Sequence, residues 1–350
     1  MNSYYKCKPS ESFSKCFIVT VAPQFAGRGA SFSSISALMG ICALFIALCC
    51  PPAAQAGGTW RSGWFGDIQL GGGWVGSNPS GLEVFDDNEK RDHLSDDGSD
   101  VSEGSPLIMG EIGYGFQSTG TMVSAGGGME GPWFVSIGQK VGGWGMVSLR
   151  ALYEEGEVWE NPYLVGVDRD ETDAESFGFG LSWDGVMGTG LSVFATRMEV
   201  DVDQDRIGEI NPDLWRDGAD TTLGIRYPWN LGAGGVLSGG ISYILIDRDG
   251  EANSGHGYAA ELNHMLEWGR FSFATGFELV AREFDETHPV FNEKREEAEF
   301  TISETVSFAE PFGLRNSYLF GIAAYSETAA DIDFFDSAAY ILGAGVGYRF

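Results

Sequence analysis

Cysteine is missing from most of this 350-residue sequence, because its five cysteines all lie within the first fifty residues. After that point the chain can form no disulfide, and it offers no thiol nucleophile and no thiolate metal ligand. Basic residues are also scarce: 21 Lys and Arg stand against 50 Asp and Glu, for a net charge of -29. Nucleic acid is therefore excluded as a partner, since phosphate binding requires concentrated positive charge.

Long apolar runs are absent as well. After residue 56 no apolar run reaches the roughly 18 residues that a membrane-spanning helix needs. Hydrophobic residues nevertheless make up 43% of the chain, which is too much apolar surface for a disordered protein. A helical membrane bundle and an unfolded chain are thus both excluded.

The first 56 residues have the features of a secretory signal peptide. Four basic residues precede an apolar run over 35–50, and Ala54-Gln55-Ala56 supplies a small-x-small cleavage site. We predict a cleaved signal peptide over 1–56 and a single domain over 57–350; an uncleaved anchor helix is the alternative, for which the run is short. The leader takes four of the basic and one of the acidic residues, which leaves 17 basic and 49 acidic residues in the exported chain.

What is present is alternation of apolar and small or polar residues with a period of two, clearest at the C-terminus. One face of the last segment carries Tyr340, Leu342, Ala344, Val346, Tyr348 and Phe350, and the other face is rich in glycine. An apolar face that ends in aromatic residues is typical of a transmembrane β-strand. We expect Tyr348 and Phe350 to form the C-terminal signature through which barrel-assembly machinery recognises the chain.

The same pattern recurs fourteen times, and most of the segments are about ten residues long, enough to cross a bilayer when tilted. The predicted strands lie near 64–76, 107–117, 121–129, 133–140, 144–153, 177–184, 190–200, 220–228, 236–246, 257–267, 270–281, 298–308, 317–326 and 338–350. We predict an all-β fold, a transmembrane antiparallel up-and-down β-barrel of the outer-membrane type with about 14 strands; 12 or 16 are the alternatives.

Connections between the predicted strands alternate between long and short. This alternation places both chain ends and the short turns in the periplasm and the long loops outside the cell. One connection breaks the rule, because Glu130-Gly131-Pro132 is short where a long loop is due.

Aromatic residues near the predicted strand ends form an expected lipid-facing girdle. Its members are Trp64, Trp74, Tyr114, Phe116, Trp133, Trp183, Tyr227, Tyr243, Tyr258, Phe271, Phe320, Tyr340 and Phe350. Glu304 conflicts with this pattern, because it shares the lipid-facing parity of Ile302 and Val306. A β-bulge or a strand misplaced by one residue would resolve the conflict.

Three segments resemble a known family. They are 156–173 (GEVWENPYLVGVDRDETD), 288–295 (HPVFNEKR) and 331–336 (DIDFFD). Together they are similar to a family of proteobacterial outer-membrane proteins, domain of unknown function two-eight-six-zero. The resemblance covers the second half to two thirds of the exported chain, and it implies a porin-like outer-membrane barrel of unassigned function with no family catalytic residue.

Inward-facing charged side chains are the most informative candidate site. By parity, the expected lumen-lining residues are Asp67, Glu111, Lys140, Arg150, Arg226, Glu261, Glu278 and Glu299. The acidic members fall on one wall of a closed barrel and the basic members on the other. Such a transverse field would orient solutes and set ion preference; ion pairs that brace a packed lumen are the alternative.

Fourteen strands are expected to leave a narrow channel that a long loop could constrict. The best candidate loop is 154–176, in which aromatic residues can pack while charged residues stay polar. Its candidate constriction residues are Trp159, Asn161, Pro162, Tyr163, Asp168, Arg169 and Asp170. A plain surface loop is the alternative.

Neither catalytic nor cofactor chemistry is indicated. Asp201, Asp203 and Asp205 begin a calcium-loop spacing, but Arg206 replaces the required glycine and Pro212 the closing glutamate. We predict no cofactor, and treat calcium or magnesium at the acidic loops, bridged to lipopolysaccharide, as a hypothesis. The histidines of the exported chain fall in predicted loops (His93, His288), at a strand edge (His256) or on the lipid-facing side (His264), which are poor places for a catalytic base, so we expect no enzyme.

These inferences lead to an integral protein of the bacterial outer membrane. The function we favour is a passive porin-like channel for small polar or ionic solutes. The alternative is a non-conducting surface barrel for adhesion, reception or envelope integrity. Transport of a hydrophobic solute is a third hypothesis, which requires a lateral opening and an apolar lumen. The expected partners are outer-membrane lipid, lipopolysaccharide, barrel-assembly machinery and small solutes, with no nucleic acid.

Overall fold

The computed structural model describes residues 60–78, 80–82, 84, 89–95, 100–128, 131–232 and 234–350. The predicted signal peptide over 1–56 lies outside these residues. The strands are β1 Gly63–Asn78, β2 Val101–Phe116, β3 Thr121–Gly128, β4 Gly131–Lys140, β5 Met146–Trp159, β6 Glu171–Asp184, β7 Ser192–Val202, β8 Gly218–Gly232, β9 Gly235–Arg248, β10 Gly255–Trp268, β11 Phe271–His288, β12 Glu293–Ala309, β13 Ser317–Ala330 and β14 Ser337–Arg349.

All fourteen strands join in one closed antiparallel barrel. Each strand pairs with its neighbours in sequence, and β1 closes the ring against β14 with Asp67 opposite Arg349. Closure gives every strand a hydrogen-bonded neighbour on both sides, which a barrel in lipid requires. The predicted fold class and strand count are confirmed. Within the described chain, α1 (Arg206–Ile210) is short, and no helix is long and apolar enough to cross a membrane.

Two ends of the barrel differ. Short turns join the strands at one end, which we name the turn end, and most connections are longer at the other, which we name the outer end. Several strands extend further toward the outer end than the sequence predicts: β5 continues to Trp159, β6 starts at Glu171, and β11 continues to His288. The charged residues in these extensions predict loops, but a sheet that rises into water tolerates charge on both faces.

The two faces of the wall divide as the alternation predicts. Outward residues of β1 such as Leu70 and Trp74 are exposed, whereas Phe65 on the inward face is buried. One girdle assignment is wrong, because Phe320 is buried inside the barrel. Its ring lies over the inner face of Gly345 on β14, where an added Cβ would come within 2.7 Å of it. Glycine on the inner face therefore makes room for an inward aromatic ring.

Glu304 keeps the outward orientation that seemed unfavourable from sequence. The β11–β12 register is continuous from Phe271 opposite Phe308 to Glu283 opposite Glu296, so neither a bulge nor a one-residue error occurs at Glu304. Instead the hydroxyl of Thr275, its partner on β11, donates a 2.6 Å hydrogen bond to Glu304 Oε2. The carboxylate is thus partly satisfied on the lipid-facing surface.

The interior is filled on one side. Leu107 of β2 packs with Tyr318 and Phe320 of β13, across the glycine-rich inner faces of β1 and β14. These three side chains are buried. Space in the lumen is therefore displaced toward the opposite wall.

Candidate functional site: the loop cap and the lumen

Six connections at the outer end pack together into a layer that we name the loop cap. It consists of residues 160–170, 203–217, 249–254, 289–292, 331–336 and the described part of 79–100. Two buried apolar clusters form its core, one around Leu214 and one around Phe334, and Tyr163 packs against both. Loops usually lie on the surface, so an apolar core built from six of them indicates a fixed structure.

Tyr163 joins nearly opposite sides of the barrel. It lies in the β5–β6 connection, and its hydroxyl is 2.9 Å from Nε2 of His288 at the end of β11. These two connections are six strand positions apart in a ring of fourteen. Its ring also contacts Phe291 and Phe334 at centroid distances of 5.9 and 5.1 Å. The β5–β6 connection therefore crosses the mouth of the barrel.

His288 is fully buried, at 0% exposure. Burial, together with the nearby Arg295 guanidinium, lowers the pKa of His288 to about 4. Burial also raises the pKa of Tyr163 to about 12. Both side chains are thus neutral at physiological pH, and they form an uncharged hydrogen bond within an apolar cluster.

Arg169 anchors the same connection. It is 2% exposed, its guanidinium lies 4.2 Å from the ring centroid of buried Trp159, and Nη1 donates to the carbonyls of Gly81 (2.8 Å) and Pro162 (3.1 Å). Burial lowers the pKa of Arg169 to about 10, so it stays charged at neutral pH.

The remaining candidate constriction residues also lie in the loop cap. Asn161 is buried and its Oδ1 accepts a 3.1 Å hydrogen bond from the backbone of Tyr163, while Pro162 is fully buried. Asp168 and Asp170 are exposed on the upper surface. The structure thus places these residues across the mouth of the barrel, above the strands.

An ion pair fixes the β7–β8 connection in the cap. Asp205 is 2% exposed and accepts hydrogen bonds from Arg216, with Nη2 at 2.7 Å and Nε at 2.9 Å. Its carboxylate is therefore occupied by arginine, while Asp201 and Asp203 are exposed. In the part of the chain that the structure describes, no group of three His, Cys, Asp or Glu is arranged to hold a metal ion. Cation binding at the loops stays a prediction.

Inside the barrel, charged residues form local pairs. Arg226 of β8 binds Glu261 of β10, with Nη2 2.8 Å from Oε2, over the side-chain-free Gly240 of β9. Between β11 and β12, Arg282 Nη1 lies 2.7 Å from Glu299 Oε2. Arg226 and Glu261, which the sequence pattern assigns to opposite walls, are thus only two strands apart.

The other candidate lumen residues are spread along the wall. Asp67 accepts hydrogen bonds from Tyr318 and, at 2.6 Å, from Arg349. Glu111 is its partner on β2, and Glu278 is the partner of Glu261 on β11. Two basic residues stack on aromatic rings: Arg150 lies 5.3 Å from the ring of Phe134, and Lys140 lies 5.8 Å from Trp60 at the turn end.

Sequence reasoning missed several of these residues. Arg282 and Arg295 were assigned to a loop, and their inward orientation follows only once β11 and β12 are known to continue upward. Arg295 lies between the rings of Phe284 and Phe335, at 4.1 and 3.8 Å. The signal for it was the period-two alternation that continues through Arg295, Glu297 and Glu299.

The C-terminal strand ends where the ring closes. Tyr348 and Phe350 are exposed on the outward face, and the carbonyl of Phe350 accepts a 2.9 Å hydrogen bond from the backbone of Gly66. Recognition of these residues by assembly machinery stays a prediction.

The three segments that carried the family resemblance meet in the loop cap. Tyr163 comes from the first, His288, Phe291 and Arg295 from the second, and Phe334 from the third. The resemblance therefore concerns the structure that closes the mouth as well as the barrel strands.

One family model matches nearly the whole described barrel. The model of a family described as "Protein of unknown function (DUF2860)" matches residues 63–349. No curated protein matches the chain.

Among solved structures, the chain is similar to the CymD monoaromatic hydrocarbon channel, with 7% identity, 83% of this chain and 89% of that chain covered, and a TM-score of 0.45. It is also similar to the outer membrane channel DcaP of Acinetobacter baumannii, with 8% identity, 84% of this chain and 100% of that chain covered, and a TM-score of 0.41. A Pseudomonas aeruginosa FadL homologue is similar at 11% identity, with 82% of this chain and 90% of that chain covered, and a TM-score of 0.39. Likenesses this weak concern the barrel architecture and say nothing about function.

Proposed function

The chain belongs to the DUF2860 family, and we propose that it is a passive diffusion channel of the bacterial outer membrane for small polar or ionic solutes. The loop cap would be its extracellular gate. The proposal identifies the outer end with the cell exterior and the turn end with the periplasm, as in other outer-membrane barrels. No catalytic residue is needed for this role, and the expectation that the protein is not an enzyme stays a prediction.

The observation that carries the proposal is the accessible ion pair inside the barrel. The Arg226 side chain is 44% exposed although it points inward, and the Glu261 side chain that binds it is 12% exposed. A lumen filled by side chains would bury both groups. Space for water therefore lies beside β8–β10, opposite the wall packed by Leu107 and Phe320.

The charged wall gives this space a polar surface. Glu261, Glu278 and Glu299 follow one another on β10, β11 and β12, with Arg226 and Arg282 among them. Side chains of this kind select ions and orient dipolar solutes in narrow channels. The excess of carboxylates favours cations.

Osmotic swelling of proteoliposomes tests the proposal. Residues 57–350, refolded into vesicles, should permit influx of a small sugar faster than of an oligosaccharide. Vesicles that contain folded protein but swell no faster than protein-free vesicles would refute the channel.

A second candidate is a non-conducting surface barrel, which the packed loop cap favours. Exposed carboxylates such as Asp168, Asp170 and Asp201 would then face calcium or magnesium that bridges them to lipopolysaccharide phosphates. Titration of calcium into the refolded protein tests the bridging. Thermal melting that stays unchanged up to millimolar calcium would end that hypothesis.

A further inference from the structure

One inward arginine differs from the others of the barrel wall. Six arginines of the strands point into the barrel, and five of them bind carboxylates: Arg226, Arg248, Arg282, Arg295 and Arg349. The sixth is Arg150 of β5, whose partners in the register are Ser136 of β4 and Gly180 of β6. Among the described residues, no carboxylate forms an ion pair with Arg150.

The contact that Arg150 does make leaves its N–H groups unused. Its guanidinium carbon lies 5.3 Å from the centroid of the buried Phe134 ring, and its Nε is buried without a hydrogen-bond partner. An aromatic face attracts the charge of a guanidinium but gives its N–H donors no oxygen acceptor. The ring therefore holds Arg150 in place while its donors stay available to a ligand.

The wall beside Arg150 carries only small side chains. The inward residues toward β8 are Gly180, Thr196 and Thr222, which form one row of the register. An added Cβ at Gly180 would make only ordinary contacts, 3.6 Å from Thr196 Oγ1 and 3.8 Å from Arg150 Cβ. Beyond this row lies the half-exposed Arg226, beside the space for water. A recess with one guanidinium and two hydroxyls thus adjoins that space.

Charge on the facing wall limits what the recess can hold. β5 and β11 are six strand positions apart in the ring of fourteen, so Arg150 faces the wall that carries Glu261, Glu278 and Glu299. A guanidinium binds a carboxylate through two parallel N–H···O bonds. The facing carboxylates repel a net anion and attract an ammonium group. A solute with one carboxylate and one ammonium group suits both walls.

We infer that Arg150 binds the carboxylate of a small zwitterionic solute, of the α-amino acid class, as that solute crosses the lumen. The inference rests on the proposed function, because it names the solute class of the same channel. Thr196 and Thr222 supply hydroxyl donors and acceptors beside the carboxylate. Inorganic phosphate is the poorer occupant, since its second negative charge would face the acidic wall.

Alanine and lactamide are matched probes, because they are isomers and only alanine is zwitterionic. Osmotic swelling of proteoliposomes that contain residues 57–350 measures the entry of each, corrected for protein-free vesicles. A weak site inside a channel speeds entry of the solute that it binds. The alanine-to-lactamide ratio should fall about fivefold in Arg150→Gln, the effect of ~1 kcal/mol of lost binding. Arg197→Gln, which removes an exposed arginine from the outward face of β7, is the control and should keep the ratio.

Gly180 allows the site to be blocked while Arg150 stays in place. Gly180→Asp puts a carboxylate on the neighbouring strand directly opposite Arg150, where side chains of opposite charge pair. Gly180→Asn adds nearly the same bulk without the charge. The preference for alanine should be lost in Gly180→Asp and kept in Gly180→Asn. This pair also tests the site if Arg150→Gln does not fold.

Saturation-transfer NMR of alanine with the detergent-solubilised protein tests the site without any need for transport. The signal transferred to alanine should fall about fivefold in Arg150→Gln and in Gly180→Asp, for the same ~1 kcal/mol of lost binding. Propionate, which has the carboxylate but no ammonium group, should give a weaker signal than alanine.

Three results of the NMR experiment would overturn the site. They are no transfer to alanine in the wild type, transfer that Arg150→Gln and Gly180→Asp leave unchanged, and transfer to propionate as strong as that to alanine. Swelling reports separately on the channel. Equal entry of alanine and lactamide above background would keep the channel and refute selection by Arg150. A protein that binds alanine at Arg150 but swells no vesicles would keep the site and refute passive diffusion.

Discussion

The hydroxyl of Tyr163 lies 2.9 Å from Nε2 of His288, and this contact links two connections from nearly opposite sides of the barrel mouth. A barrel wall needs no such link for its own stability, because each strand is already paired on both sides. The contact instead holds the loop cap across the opening, which makes it the natural point at which to perturb the gate.

Loss of the Tyr163 hydroxyl should loosen the cap. Tyr163→Phe removes one neutral hydrogen bond and leaves His288 Nε2 without that partner, while Nδ1 still accepts from the backbone of Val290, at a cost of about 1 kcal/mol. Tyr163→Ala also leaves a cavity in two apolar clusters, at a cost of about 3 kcal/mol or more. Hydrogen exchange over residues 160–170 and 289–292 should accelerate in that order. Tyr258→Phe, on the lipid-facing wall, is the matched control, and equal exchange in all variants would contradict a cap held by Tyr163.

Acid should open the cap through His288. Its pKa falls from 6.5 in the unfolded chain to about 4 in the folded one, so the unfolded form binds the proton more readily. The stabilisation is complete above about pH 6.5 and is lost as the pH falls toward 4, by about 3 kcal/mol at 1.36 kcal/mol per pKa unit.

Trypsin cleavage at exposed cap residues measures this opening. Samples are exposed briefly to a pH between 7 and 4, returned to neutral pH, and cleaved with trypsin. His288→Phe should flatten the profile, whereas His256→Gln, in a partly exposed site beside Asp285, should not. Cleavage that does not depend on pH in the wild type would show that His288 does not control the cap.

Ion selectivity should depend on the lumen pair. Glu261→Gln removes a negative charge and leaves Arg226 without its carboxylate partner, so the reversal potential should shift toward anions. Arg226→Gln should shift it toward cations. Glu209→Gln, on the exposed surface of α1, is the control for net charge alone. Equal reversal potentials in all three variants would place the ion path away from Arg226.

Much of this molecule could be predicted from the sequence, because period-two alternation is a local property. Each of the fourteen strands was found near its observed position, whereas the bulge or one-residue shift expected at Glu304 was wrong. The short connection at Glu130-Gly131-Pro132 was also visible in the sequence, and β3 and β4 are correspondingly separated by only two residues.

The remaining features depend on contacts between distant residues. The Arg226–Glu261 pair requires the register of β8, β9 and β10, and a glycine between the two side chains. Phe320 was assigned to the lipid because aromatic rings suit the girdle, whereas its inward position depends on the space above Gly345. The loop cap joins segments more than a hundred residues apart, so its residues carry no local sign of being neighbours.

Thr275 and Glu304 should show coupled effects on stability. Glu304→Leu removes a carboxylate from the lipid-facing surface and should stabilise the barrel by about 1 kcal/mol or more. Thr275→Val should destabilise the wild type by about 1 kcal/mol. The same substitution should have little effect on stability in the Glu304→Leu variant. Urea unfolding in phospholipid vesicles measures the cycle. Additive effects would mean that the 2.6 Å hydrogen bond is not formed in lipid.

Single-channel recording in planar bilayers tests the central claim most directly, with wild-type residues 57–350 compared with Tyr163→Ala at neutral pH. A capped channel predicts ion-selective steps that are brief in the wild type and prolonged in Tyr163→Ala. Folded, inserted protein that is silent in both forms would contradict the account, because it would show a lumen that is closed by more than its cap.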